Sequence, residues 1–171
     1  MRVARLTRAA LVVSAAAQLS CGEPPLSPVP PPQASLIGSL LQGTGLLQCT
    51  PMPTATATQT VGWAGGVIKI GPHALWIPAG ALGAPVTITA TAPSDNVNRI
   101  QFQPEGLVFQ RSAALTMSYA NCNVLATLLP KRIAYTNEAL NILSYVLSLD
   151  NLLAQKVTGK VNHFSNYAIA W

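Results

Sequence analysis

Charged side chains are scarce in this 171-residue chain, since Asp, Glu, Lys and Arg together make up 9% of it. Helical bundles and coiled coils are rich in Glu, Lys and Arg, so this composition argues against both classes. Histidine is scarcer still, at two residues, which excludes a His-rich metal site. The three cysteines have no second ligand at the spacing of a zinc site. We therefore expect neither a metal nor a cofactor.

A basic cluster is also lacking, although the formal net charge is +5. Three of the ten basic residues, Arg2, Arg5 and Arg8, lie at the N-terminus, and the other seven are set against five acidic residues. Those seven are scattered along the chain: Lys69, Arg99, Arg111, Lys131, Arg132, Lys156 and Lys160. Nucleic-acid binding needs a clustered basic face that neutralises phosphates. We expect no nucleic-acid partner.

The apolar run at residues 9–17 is too short to span a bilayer. As a helix it would cover about 13 Å, less than half of a ~30 Å hydrocarbon core. Because it follows three arginines, it has the pattern of a cleaved export signal. Residues 1–20 are therefore predicted to be a signal peptide, and the mature protein is expected to be exported.

Two cleavage sites compete in this signal. Residues 15–17 are three alanines, which suit the ordinary signal peptidase, whereas residues 19–22 (Leu-Ser-Cys-Gly) resemble a bacterial lipobox. We favour the lipobox, in which Cys21 carries the lipid and anchors the chain to a membrane. Gly22 is not Asp, which by analogy with Gram-negative lipoproteins indicates the outer membrane. The alternative is an unmodified Cys21 in a periplasmic or secreted protein.

The other two cysteines form an even pair once Cys21 is lipidated. In an oxidising compartment Cys49 and Cys122 are expected to form a disulfide. It would close a loop of about 74 residues, worth on the order of 4 kcal/mol. Two free thiols are the alternative.

Proline, serine and threonine dominate residues 21–59, which we predict to be an extended tether. The prolines are Pro24, Pro25, Pro28, Pro30, Pro31, Pro32, Pro51 and Pro53. Within the tether, residues 35–47 are apolar with three glycines and indicate either a short helix or a loosely packed arm.

From Thr60 onward the pattern changes to short alternating runs. Residues 86–91 and 115–119 alternate apolar and polar side chains with a period of two, which is typical of strands with one buried face. Turn signals rich in Gly, Pro, Asn and Asp separate such runs at short intervals. We predict an all-β domain over residues 60–171, an antiparallel β-sandwich. The Leu-rich residues 140–153 are predicted as strands rather than a helix.

Several short motifs in this domain resemble the ZU-five domain, the β-sandwich module shared by zonula-occludens proteins, netrin receptors and ankyrins. The matching residues are Gly65, Gly66, Ile77, Pro78, Ala79, Gly80, Pro104 and Gly106, followed by an alternating strand that ends at Tyr119. The resemblance implies a non-enzymatic interaction or scaffolding module. The partner is expected to be a protein or a surface polymer, and a purely structural spacer in the envelope is the alternative.

The tripeptide His163-Phe164-Ser165 carries a second implication of this resemblance. Some relatives cleave themselves between Phe and Ser of the same tripeptide, so Ser165 would be the nucleophile and His163 the base. The alternative is structural, with Phe164 in the core and Ser165 in a turn. Two further sites have simple structural interpretations. We predict His73 as a turn residue, and the three tryptophans (Trp63, Trp76 and Trp171) as core or edge aromatics rather than a sugar platform.

Overall fold

The protein is an antiparallel β-sandwich, as its sequence predicts. A computed structural model describes residues 45–123 and 129–171, and within them it has strands and no helix. The predicted signal peptide, Cys21 and most of the predicted tether lie outside the described residues. So does the helix or arm predicted over residues 35–47, except for its last three positions. The strands are β1 (Ala55–Val61), β2 (Gly66–Ile70), β3 (His73–Ile77), β4 (Val86–Ala92), β5 (Arg99–Gln103), β6 (Val108–Ser118), β7 (Arg132–Thr136), β8 (Ile142–Tyr145), β9 (Ser148–Asn151), β10 (Lys156–His163) and β11 (Asn166–Ala170).

The strands form two sheets that enclose one main core. The six-stranded sheet has the order β1-β4-β5-β11-β7-β8, and the five-stranded sheet has the order β2-β3-β6-β10-β9. The inward side chains are mostly aliphatic. Four aromatic side chains pack against one another among them: Phe102, Phe109, Phe164 and Tyr167. Burial of this apolar area is the main source of stability for such a fold.

Alternation along β4 shows how the sequence specifies the two faces. Ile88, Ala90 and Ala92 are buried in the core. The intervening threonines point outward and meet threonines of β1 across the strand pair. Their hydroxyl oxygens are 2.9–3.3 Å apart in three successive pairs: Thr60 with Thr87, Thr58 with Thr89, and Thr56 with Thr91. Such cross-strand hydroxyl pairs add a few tenths of a kcal/mol each.

The sandwich begins earlier than the predicted boundary at Thr60. Strand β1 starts at Ala55, and residues 45–50, here called the N-terminal arm, are also part of the fold. Leu46 and Leu47 of the arm are buried, and Leu46 bridges Ala170 of the last strand. The sequence marks this start weakly, because residues 55–61 alternate like a strand but consist largely of the alanines and threonines that also compose tethers.

The predicted disulfide is present. Cys49 and Cys122 are bonded, and their backbones also form an isolated β-bridge. The bond joins the N-terminal arm to the segment that follows β6.

Residues 140–153 form strands, as predicted, and the two strands belong to different sheets. Strand β8 is the last strand of the six-stranded sheet, and β9 is the last strand of the five-stranded sheet. The chain crosses from one sheet to the other between them, and Val146 packs against the main core at the crossing. The Ser148 hydroxyl holds the crossing in place, because it accepts a hydrogen bond from the Ile133 N–H and donates one to the Val146 carbonyl.

Candidate functional site

The motif glycines make a tight turn against a neighbouring strand end. Gly65 has φ +73°, and a Cβ added there would lie 2.2 Å from the carbonyl oxygen of Ile77. Glycine is required at such a position because any side chain would overlap the opposing backbone. The Gly80 N–H donates to the Trp63 carbonyl oxygen over 2.7 Å, which ties the turn to the segment after β3.

The other motif residues have structural positions as well. Ile77 and Pro78 are buried, whereas Ala79 is exposed. Gly80 and Gly106 both have positive φ, +73° and +76°. Pro104 follows a cis peptide bond and, like Gly106, lies in an exposed turn. These residues therefore shape turns and carry no reactive group.

Two exposed tryptophans and an exposed arginine come from the segments next to this turn, and we call them the aromatic patch: Trp63 precedes the turn, Trp76 is in β3 and Arg111 is in β6. Trp63 is 71% exposed and Trp76 53%. The Arg111 guanidinium donates from Nη1 to the Ala79 carbonyl oxygen over 2.9 Å. A Cβ placed on Gly80 would lie within 4 Å of both Arg111 and Trp63, so these two side chains flank the same glycine.

The three tryptophans do not form a common platform. Trp63 and Trp76 belong to the two segments joined at the motif turn. Trp171 is half-buried and packs against the main core. Its backbone N–H donates to the Gly45 carbonyl oxygen over 3.2 Å.

Phe164 of the predicted cleavage tripeptide is a core residue. It is 1% exposed, stacks on Phe102 with ring centroids 5.0 Å apart, and meets Phe109 edge-on at the same distance. Its N–H donates to the Leu107 carbonyl oxygen over 2.7 Å, and its own carbonyl oxygen accepts from the Gly106 N–H over 3.0 Å. The turn before β6 therefore bonds both the N–H and the carbonyl group of Phe164.

The residues on either side of Phe164, His163 and Ser165, are not part of the apolar core. His163 is half-buried, with Nδ1 3.5 Å from the Phe164 carbonyl oxygen and its ring edge-on to Tyr135. Its own carbonyl oxygen accepts from the Tyr167 hydroxyl over 2.7 Å. Ser165 is buried, and its backbone carbonyl oxygen accepts a hydrogen bond from the Phe102 N–H over 3.3 Å. The Phe164 carbonyl group therefore has the Gly106 N–H and the His163 ring as its neighbours.

Ser165 also lines a polar groove of about 200 Å³ on the outer side of the six-stranded sheet. The groove is lined by Thr89, Thr91, Gln101, Phe102, Gln103, Glu105, Glu138, Ser165 and Asn166. Water can therefore reach the neighbourhood of the Phe164–Ser165 bond, even though Phe164 itself is in the core.

His73 is not the turn residue that the sequence predicts. It is the first residue of β3, 2% exposed, and its Nδ1 accepts a hydrogen bond from the Ser118 N–H over 3.1 Å. The proton of the neutral ring must then be on Nε2, which is buried without a partner in the described part of the chain. Burial lowers the pKa of His73 to about 4.

A polar cluster at the disulfide end of the core was missed by sequence analysis. Asp150 accepts from the Tyr119 hydroxyl over 2.7 Å and from the Lys131 N–H over 2.8 Å. Burial, followed by the contact with Asp150, raises the pKa of Tyr119, whereas burial lowers that of Lys131. No spacing links these residues, which lie in three separate segments, so only the fold reveals the cluster.

No three His, Cys, Asp or Glu side chains lie close enough to hold a metal ion within residues 45–123 and 129–171. The same two ranges contain no helix long and apolar enough to cross a membrane. Comparison with protein-family models and with curated proteins finds no match for this chain.

Proposed function

We propose that this chain is an exported lipoprotein of the cell envelope, anchored through Cys21, whose ZU-five-like sandwich binds a protein or a surface polymer without catalysis. The observation that carries the proposal is the aromatic patch. Its tryptophans are exposed, and the hydrogen bond from the Gly80 N–H to the Trp63 carbonyl oxygen fixes the backbone at Trp63. Tryptophan and arginine are the residues most enriched at binding hot spots, and aromatic faces also stack on polymers. A rigid support lowers the entropy lost on binding.

The patch can be tested by site-specific crosslinking in native envelopes. A photoreactive phenylalanine analogue replaces Trp63 in one variant and Thr58, which is exposed on β1 and pairs with Thr89 of β4, in the control. We expect one discrete adduct from position 63 and none from position 58. Absence of an adduct at position 63, or equal labelling at both, would support a spacer and contradict a binding patch.

The anchor requires a separate test. Cells that incorporate labelled fatty acid should label the wild-type chain and leave the Cys21→Ser variant unlabelled. The variant should also move from the membrane to the soluble fraction. An unlabelled wild-type chain would show that the protein is periplasmic or secreted.

Self-cleavage between Phe164 and Ser165 is the second candidate, and the hydrogen bond from the Gly106 N–H to the Phe164 carbonyl oxygen favours it. In the proposed reaction the Ser165 oxygen attacks the carbonyl carbon of Phe164, and the peptide C–N bond breaks. The hydroxyl proton passes through His163 to the departing nitrogen, which leaves an ester. Water then hydrolyses the ester to a Phe164 carboxylate and restores the Ser165 hydroxyl. The Gly106 N–H would stabilise the negative oxygen that forms during attack.

Intact mass measurement decides between the cleaved and the uncut chain. Because β11 lies between β5 and β7, its backbone hydrogen bonds would retain residues 165–171 until denaturation. Cleavage predicts a seven-residue fragment from the denatured wild-type protein and none from Ser165→Ala. A single unbroken mass for denatured wild type rules the reaction out, and leaves the tripeptide with its core-packing role.

A further inference from the structure

A row of exposed leucines follows the open edge of the sandwich where β8 and β9 end the two sheets. We call this edge the leucine ridge (Leu143, Leu147, Leu149 and Leu153). Leu147 is 73% exposed, Leu149 80% and Leu153 fully so. Soluble monomers rarely expose several large aliphatic side chains in one region, so such a region marks an interaction surface.

Cationic side chains flank the ridge on both sheets. On the six-stranded sheet the Arg132 guanidinium lies 4.6 Å from the ring centre of Tyr145, one strand in from the edge. On the five-stranded sheet Lys156 pairs with Asn151 of β9, and the Lys160 N–H donates to the Leu147 carbonyl oxygen over 3.0 Å. All three of these cationic side chains are exposed.

In the described part of the chain the ion pair joins Arg99 to Asp95, so none of these three cations is paired with a carboxylate. Asp150 lies on β9, but its carboxylate accepts hydrogen bonds from the Tyr119 hydroxyl and the Lys131 N–H. Glu138 lines the polar groove beside Ser165. The ridge is therefore apolar with a basic border.

The N-terminal arm begins beside this same edge. Gly45 is the first residue of the described chain, and a Cβ on it would lie 3.2 Å from Ile142 Cδ1 and 3.5 Å from the Tyr145 hydroxyl. Both residues belong to β8.

We propose that the leucine ridge seats the sandwich on a membrane surface that contains anionic phospholipid. The leucines enter the boundary between headgroups and acyl chains, and Arg132, Lys156 and Lys160 contact the phosphates. Tyr145 has the amphipathic ring that favours this boundary. The inference goes beyond the lipid anchor, because here the folded domain itself recognises the lipid.

The test uses the chain from Cys21 to Trp171 with Cys21→Ser, so that no lipid is attached. Cosedimentation with vesicles of phosphatidylglycerol and phosphatidylcholine should exceed that with phosphatidylcholine alone by tenfold or more. Binding should fall by a similar factor in 0.5 M salt, because the cations contribute through screened charges. Equal binding to both vesicle types, or to neither, would overturn the proposal.

Paired substitutions locate the surface. The double variant Leu147→Asp with Leu149→Asp should lose tenfold or more of the binding. Val108→Asp, at a side chain 69% exposed at the far end of β6, should retain it. Circular dichroism checks that each variant keeps its strands. If the ridge were an interface between copies, light scattering would show a dimer that the double variant dissociates, and vesicle binding would be absent. Failure here would leave the fatty-acid labelling of Cys21 unaffected, so the two proposals fail separately.

Discussion

Gly65 tolerates no side chain for two reasons. Its φ of +73° disfavours other residues, and an added Cβ would lie 2.2 Å from the Ile77 carbonyl oxygen. Gly65→Ala should lower the free energy of unfolding by more than about 3 kcal/mol. Gly106→Ala is the matched control, since Gly106 has φ +76° but nothing within 4 Å of an added Cβ. It should lose only about 1 kcal/mol, the cost of the backbone conformation. Urea denaturation measures both, and equal losses would contradict the steric explanation.

His73 should make the stability of the fold depend on pH. Burial lowers its pKa from 6.5 to about 4, so the unfolded chain binds a proton more readily than the folded chain. Stability is therefore complete above pH 6.5 and decreases as the pH falls towards 4, by up to about 3 kcal/mol. His73→Asn retains an acceptor for the Ser118 N–H and does not titrate. Its unfolding free energy should change less over this pH range, and an unchanged slope would contradict the assignment.

At the scale of elements, the disulfide determines how firmly the N-terminal arm is attached. Cys49 and Cys122 are 73 positions apart, and a cross-link of that span stabilises by about 4 kcal/mol through the unfolded chain. The variant with Cys49→Ser and Cys122→Ser should unfold at correspondingly lower urea. Reduced wild type should match the variant. If reduction changes nothing, the buried leucines and the backbone hydrogen bonds of the arm are sufficient to hold it.

The strands differ in how well the local sequence predicts them. Strands such as β4 were predicted because alternating residues and flanking turns mark both faces and both ends. Residues 140–153 were predicted as strands, but the end of β8 and the start of β9 were not, because a crossing between sheets at Val146 leaves no Gly or Pro signal. Strand β1 was missed, since alanines and threonines next to prolines also compose tethers. Its pairing with the threonines of β4 is a contact between segments, which no local pattern contains.

For the molecule as a whole, the arm and β1 should decide whether the domain folds. A chain that begins at Gly45 contains every described strand, whereas one that begins at Thr60 lacks most of β1 and all of the arm. The shorter chain loses Leu46, Leu47 and the disulfide partner of Cys122. We expect cooperative thermal unfolding from residues 45–171, and a lower melting temperature or aggregation from residues 60–171. Equal melting temperatures would show that the arm is dispensable.

The sequence by itself determined the fold class, the even pairing of Cys49 with Cys122, and most strands, because alternation and turn chemistry are local properties of a β-chain. It also located the residues around the Phe164–Ser165 bond. Only the tertiary structure decided which surfaces those elements leave open. Exposure of the leucine ridge and the aromatic patch depends on which strands end a sheet and which turns meet. The buried environment of His73 and the Asp150 cluster likewise arise from segments far apart in the chain, which packing alone brings together.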